Sequence, residues 1–205
     1  GFLTAVYLSK AAKPKVRAAL LSAVSLLAGI PSVIYGFIGL SVLVKLFLKA
    51  GVHTGSCVLA AGILLAVMLL PYLVSSCCDT MLKERKKYLE DSAALGVSDW
   101  YAAATMILPA AMPNMLMSMV LAVGRAMGET MAVMMVMGNA NLFPKLLGKS
   151  ESIASVIALE MGTAVYGSPH YHALYAAGMV LVVLLMMINL GIHMVRKYLM
   201  GGNAV

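Results

Sequence analysis

The sequence predicts an all-α membrane protein, a helix bundle of about five crossings. Three observations predict it. Several stretches long enough to span a bilayer carry no charged residue. Of the 205 residues, 62% are hydrophobic and 11% charged, where a soluble domain carries about 25% charged. The basic residues cluster between the apolar runs, with Arg125 as the exception. Such a chain cannot hide its apolar side chains inside one water-facing globule, so lipid is the expected solvent. The net charge of +7 would raise nucleic acid for a soluble protein. Here it reads as membrane orientation, and no nucleic-acid motif is present.

The elements follow in order. Gly1 opens the chain inside an apolar run. Gly1 to Ser9 reads as the tail of a spanning helix in a chain that lacks its N-terminal portion, since a signal peptide would need a basic start and a cleavage site. Ala18 to Val44 is uncharged but is interrupted by Gly29-Ile30-Pro31, where proline disfavours helix. A crossing is therefore expected from about Pro31 to Leu48. Ser56 to Cys78 forms the next. Another runs from near Pro109 to about Met137 and holds Arg125 and Glu129. The last runs from Leu174 to about Met194.

Loop charge sets the expected orientation. Lys10, Lys13, Lys15, Arg17, Lys83, Arg85, Lys86, Lys87, Arg196 and Lys197 alternate with regions holding only Lys45, Lys49, Lys145 and Lys149, ten bases against four. The basic side faces the cytoplasm. Residues 80–108 are then a cytoplasmic loop, residues 138–172 lie outside, and the C-terminus is cytoplasmic. Within the loop, Lys83 to Leu95 favours helix, Gly96 supplies a stop, and Ser98 and Asp99 can start a second helix. This is a helix–glycine–helix elbow, either docking on a partner or resting at the interface.

The charged stretch Gly124-Arg125-Ala126-Met127-Gly128-Glu129-Thr130-Met131-Ala132-Val133 carries most of the functional information. On one continuous helix Arg125 lies near mid-membrane, where an arginine costs about 2.5–3.5 kcal/mol on insertion scales. Glu129 follows one turn later, and Ser118 lies two turns before on the same stripe. Gly124 and Gly128 form a small-residue pair that admits a neighbouring helix. Two readings stay open. The pair is an intrahelical contact that fixes packing, or it lines an anion path. An arginine fork suits phosphate oxygens. A carboxylate beside it suits an anion that keeps a proton, as phosphate does near neutral pH and sulfate does not.

Two stretches resemble a known family. Glu90-Asp91-Ser92, Gly96 and Met106-Ile107-Leu108-Pro109 resemble the cytoplasmic signature of ABC-importer permeases, with the glutamate, glycine, leucine and proline at the family's spacing. Asp91 and Ser92 replace its alanines, and Met106 its isoleucine. The run from Gly124 to Val133, with Met135, Gly138 and Asn139, resembles the phosphate-specific permease of the PstC type. So do Ile30 to Gly36, Ala158 to Gly162 and Tyr171 to Leu174. The resemblance implies a type I ABC-importer (MetI-like) bundle, with residues 1–205 as one permease domain and residues 80–108 as its coupling elbow. It implies phosphate translocation at Arg125 and Glu129 and ATPase coupling through Glu90, Gly96, Leu108 and Pro109. It further implies a sister permease of the PstA type, two PstB-type ATPase subunits and a PstS-type outer phosphate-binding protein. No cofactor and no chemistry in the chain itself are expected. The rival readings are another oxyanion (sulfate or molybdate), an ion-gradient-driven transporter with the pair as proton relay, and a non-transporting sensor.

Other features are set aside. Gly148-Lys149-Ser150 resembles the end of a phosphate-binding loop, but Phe143 stands where that motif needs glycine. His170 and His172 read as interfacial beside Tyr171, and Glu160 as solvated. The 18 methionines and Cys57, Cys77 and Cys78 read as apolar packing.

Overall fold

The computed structural model describes residue 4, residues 14–94 and residues 96–201. Apart from residue 4, the expected crossing at residues 1–9 lies outside the described residues. The described chain is helical, with one isolated β-bridge. Among the described residues, four helical stretches are long and apolar enough to cross a membrane: Ser32–Lys49, Val58–Tyr88, Trp100–Met127 and Pro169–Met194.

Helix α1 covers Pro14–Ala28 and stops where Gly29-Ile30-Pro31 was expected to stop it. Helix α2 covers Ser32–Ile38 and runs through a π turn at Gly39–Leu43 into α3, Val44–Lys49. Helix α4 runs unbroken over Val58–Ala94, 37 residues with Pro71 inside. At ~1.5 Å per residue it is about 55 Å long, well beyond the ~30 Å hydrocarbon layer. The membrane helix thus continues directly into the elbow.

The elbow turns at Gly96, whose φ of +64° is the left-handed conformation that ends helices. Ser98 starts the next helix as expected: its Oγ accepts the N–H of Tyr101 at 3.4 Å, and its carbonyl that of Ala102 at 3.0 Å. Helix α5, Asp99–Ala102, passes through a π turn at Ala103–Ile107 into α6, Leu108–Met127. The crossing therefore begins near Trp100, not at Pro109. Proline's ring clashes with the carbonyl four residues back in a regular helix, and the wider π turn just before Pro109 accommodates it.

The larger correction lies at the other end. The expected single helix from Pro109 to Met137 ends at Met127. Helix α7 starts afresh at Met131 and ends at Met137, where Gly138 takes a φ of +99°. Helix α8 spans Ile153–Glu160, and α9 spans Pro169–Gly201.

The chain forms two compact units, residues 1–29, 69–123 and 189–205 in one, residues 30–68 and 124–188 in the other. The first unit's core joins Val74, Cys77, Cys78 and Met81 of α4 to Ile107, Ala111 and Met115. Two of the cysteines thus act as the small apolar groups expected of them. Ser76 and Ser118 hydroxyls meet across α4 and α6 at 2.7 Å, and Ser118 donates to the Asn114 carbonyl at 3.0 Å. Ser118 is buried, so it ties two helices together and does not continue a polar seam.

In the second unit, α2 packs against α7 through glycine. A Cβ added at Gly36 would stand 2.8 Å from Met135 Sδ and 3.0 Å from Ala132 Cα. One added at Gly39 would stand 2.8 Å from Val136 Cγ2 and 3.0 Å from a Leu64 methyl. The buried faces of α7, Ala132, Val133 and Val136, close this contact.

Candidate functional site

The site is a break in a membrane helix. Helix α6 delivers Arg125 in its last turn, and three residues then lie outside regular helix: Gly128, Glu129 and Thr130. The local chemistry explains the break. Glycine at 128 costs helix stability. The N–H of Glu129 closes a tight turn onto the Ala126 carbonyl at 3.2 Å. Thr130 occupies the N-cap position of α7 but spends its hydroxyl on the Gly128 carbonyl, at 3.2 Å. The capping role passes to Glu129, whose Oε1 accepts the N–H of Ala132 at 3.2 Å. An acidic group at a helix start and a basic group at a helix end each complement the local helix dipole.

This geometry changes the expected relation of Arg125 and Glu129. They are not one turn apart on a single helix. Arg125 stands at a helix end and not mid-crossing. It is exposed, and among the described residues it makes no hydrogen bond or ion pair. The intrahelical Arg–Glu pair weighed as a packing device is not formed. Glu129 is half-buried, and its Oε2 makes no hydrogen bond among the described residues. An exposed guanidinium and one spare carboxylate oxygen thus flank the break, a donor fork and an acceptor.

Gly124 and Gly128 do not receive a neighbouring helix from the described chain. A Cβ at Gly124 would meet nothing within 4 Å, and one at Gly128 only the Arg125 carbonyl at 3.8 Å. The close glycine contact lies at Gly36 and Gly39, which sequence reasoning missed. The signal was available as two glycines three apart in an apolar run. The break also had a signal, since Gly-Glu-Thr places a helix stopper, an acid and a capping residue in order.

The elbow residues lie apart in the sequence. Glu90 sits in the last turns of α4, with its side chain outside the described residues. Gly96 makes the turn, and Leu108 and Pro109 open α6. Trp100 and Tyr101 are 70% and 62% exposed, a large apolar display beside a sharp turn.

Glu160 is not simply solvated, because its Oε2 lies 3.0 Å from His170 Nε2. Tyr171 packs at a tilt against Tyr166 and Tyr175 and donates its hydroxyl to Tyr175 at 2.9 Å. Burial first, and then the charge of Glu160, push the Glu151 carboxyl above its ordinary value. Among the described residues no group of three or more histidine, cysteine or acidic residues could hold a metal.

The described chain is thus a multi-pass helical membrane protein, with an elbow between two long apolar helices and two charges flanking the end of one of them. The chain belongs to the binding-protein-dependent transport system inner membrane component family, whose model matches residues 1–199. It is 38% identical over 188 residues to a protein named probable ABC transporter permease YqgH of Bacillus subtilis, covering 90% of this chain and 60% of that one. It is 35% identical over 181 residues to the phosphate transport system permease protein PstC of Xylella fastidiosa, covering 78% and 56%. A probable phosphate transport system permease protein PstC of Methanocaldococcus jannaschii is 31% identical over 213 residues, covering 95% and 67%. The chain thus spans about three fifths of the length of the first of these relatives.

Proposed function

We propose that this chain is the greater part of the permease subunit of an ATP-driven phosphate importer. The observation that carries the reading is Arg125, exposed at a helix break and without a hydrogen bond or ion pair among the described residues, with Glu129 four residues on. A guanidinium binds phosphate oxygens through paired N–H donors and keeps its charge at any relevant pH. Glu129 Oε2 offers an acceptor to the remaining P–OH of a protonated oxyanion. Sulfate has no such proton and meets a bare negative charge. Relatives named as phosphate permeases support this choice of cargo.

Residues 1–205 act as one permease domain and residues 80–108 as its coupling elbow. The C-terminus is cytoplasmic, from the ten-to-four split of loop bases. Gly124 and Gly128 present an open face to a sister permease, so that the anion path runs between the two subunits. The elbow around Gly96, with Glu90, Leu108 and Pro109, docks on one of two separate ATPase subunits, and an outer binding protein delivers phosphate. The chain performs no chemistry itself. ATP-driven closure alternates access to Arg125.

The test is phosphate uptake by vesicles that hold the whole transporter. Arg125→Ala abolishes uptake while the complex still assembles. Glu129→Gln lowers the preference for phosphate over sulfate. Undiminished uptake in the first variant removes the site, and an unchanged preference in the second removes the role of Glu129.

A further inference from the structure

The loop at residues 138–150 closes on itself at its base and is pinned at its far side. Gly138 and Ser150 form a β-bridge. Ser150 donates its N–H to the Met137 carbonyl at 3.4 Å and its hydroxyl to the Leu142 carbonyl at 3.3 Å. Two loop carbonyls then reach α4. The N–H of Val58 donates to Gly148 at 3.1 Å, and that of Leu59 to Leu146 at 2.9 Å. The first N–H groups of a helix have no partner within it, and here the loop supplies them. Cys57 completes the cap, since its Sγ accepts the N–H of Ala60 at 3.4 Å.

With two of its carbonyls tied to α4, the loop turns apolar side chains outward. Phe143 is 86% exposed, and Leu142, Leu146 and Leu147 are each more than half exposed. An apolar cluster of this kind marks a membrane or protein contact. Its position selects between them. The pinned residues Val58 and Leu59 are the first of the apolar stretch that spans from Val58 to Tyr88. The tip is thereby held at the depth where the hydrocarbon begins. Lys145, exposed among these side chains, fits the same place, with its stem among acyl chains and its ammonium at phosphate level.

We infer that this loop is an interfacial anchor, whose Leu142, Phe143, Leu146 and Leu147 insert into the phospholipid leaflet at the N-terminal end of α4, with Lys145 on the headgroups. The anchor holds the start of α4 and the end of α7 at fixed depth. It does not depend on which anion is carried.

The three cysteines of this chain are buried, so with cysteines elsewhere in the complex replaced by serine a nitroxide reagent reads an introduced one. The label is placed by Phe143→Cys, and separately by Leu147→Cys. The carrier is the full-length permease in its assembled complex, in vesicles of phosphatidylcholine and phosphatidylglycerol. Dissolved oxygen, which partitions into lipid, should relax the spin more than a water-soluble nickel chelate at both sites. Greater relaxation by nickel would place the tip in water. Suppression of both would mean that a protein covers it. Either result overturns the anchor.

Discussion

Glu129 Oε1 accepts the backbone N–H of Ala132 at 3.2 Å, so the carboxylate of the charged pair starts the second half of a broken helix. That contact gives Glu129 a structural duty separable from any dealing with an anion. A substitution there must be read for both.

Glu129→Gln keeps a carbonyl oxygen that can accept from Ala132, whereas Glu129→Ala keeps none. Losing a side-chain cap costs about 0.5–2 kcal/mol. Thermal unfolding of the purified complex should place Glu129→Gln near the wild type and Glu129→Ala measurably below it. If the two variants unfold together, the cap contributes nothing.

Gly36 and Gly39 should resist enlargement. Gly36→Ala forces a methyl against Met135, whose tip can move, and against the Ala132 backbone, which cannot. Overpacking of this kind costs about 1–3 kcal/mol. Gly62→Ala, in an open part of α4 where an added Cβ meets nothing within 4 Å, should be neutral or stabilising by up to ~1 kcal/mol. Comparing the melting temperatures of the two variants decides the point.

Gly124→Leu tests the open face. Among the described residues no other part of the chain comes within 4 Å of a Cβ there, so the variant should fold and insert. Co-purification with the sister permease should fall. Undiminished pairing would show that no partner helix approaches at that glycine.

Gly96→Ala isolates backbone strain at the elbow. Its φ is +64° and among the described residues nothing lies within 4 Å of an added Cβ, so the cost is conformational, about 1–2 kcal/mol. Transport-coupled ATP hydrolysis should drop more than bilayer insertion does, as read by hydrolysis rate against membrane yield.

Glu151 supplies a pH dependence. Its carboxyl lies above its ordinary value, from burial first and the charge of Glu160 second. A raised acid binds more protons folded than unfolded. Its contribution is complete below the unfolded value near ~4.3 and is lost as pH rises through the folded value. Glu151→Gln should therefore gain stability relative to wild type at pH 8 compared with pH 4, measured by thermal unfolding at both. The effect is small because the side chain is only half-buried.

The spans were legible because each uses a single cue, a run of apolar residues as long as the bilayer is thick. Ser32–Lys49 and Pro169–Met194 lie close to the expected runs. The elbow was legible because Gly96 and Ser98 act on their own neighbours, within a few residues. Pro109 misled as the start of a crossing, because the chain widens into a π turn just before it and the helix runs on through the proline.

The amino-acid sequence by itself determined that this is a helical membrane protein, about where three of its four described crossings lie, and which two charges stand among the apolar residues. Those facts follow from side-chain transfer energies and short-range caps, which neighbouring residues settle alone. The tertiary structure decided that the local Gly-Glu-Thr signal prevails, so that the helix carrying Arg125 breaks before Glu129. Restarting a helix costs four unpartnered N–H groups. That cost is met by the Glu129 carboxylate and by the close seating of Ala132 and Val136 on Gly36 and Gly39, which come from a distant segment.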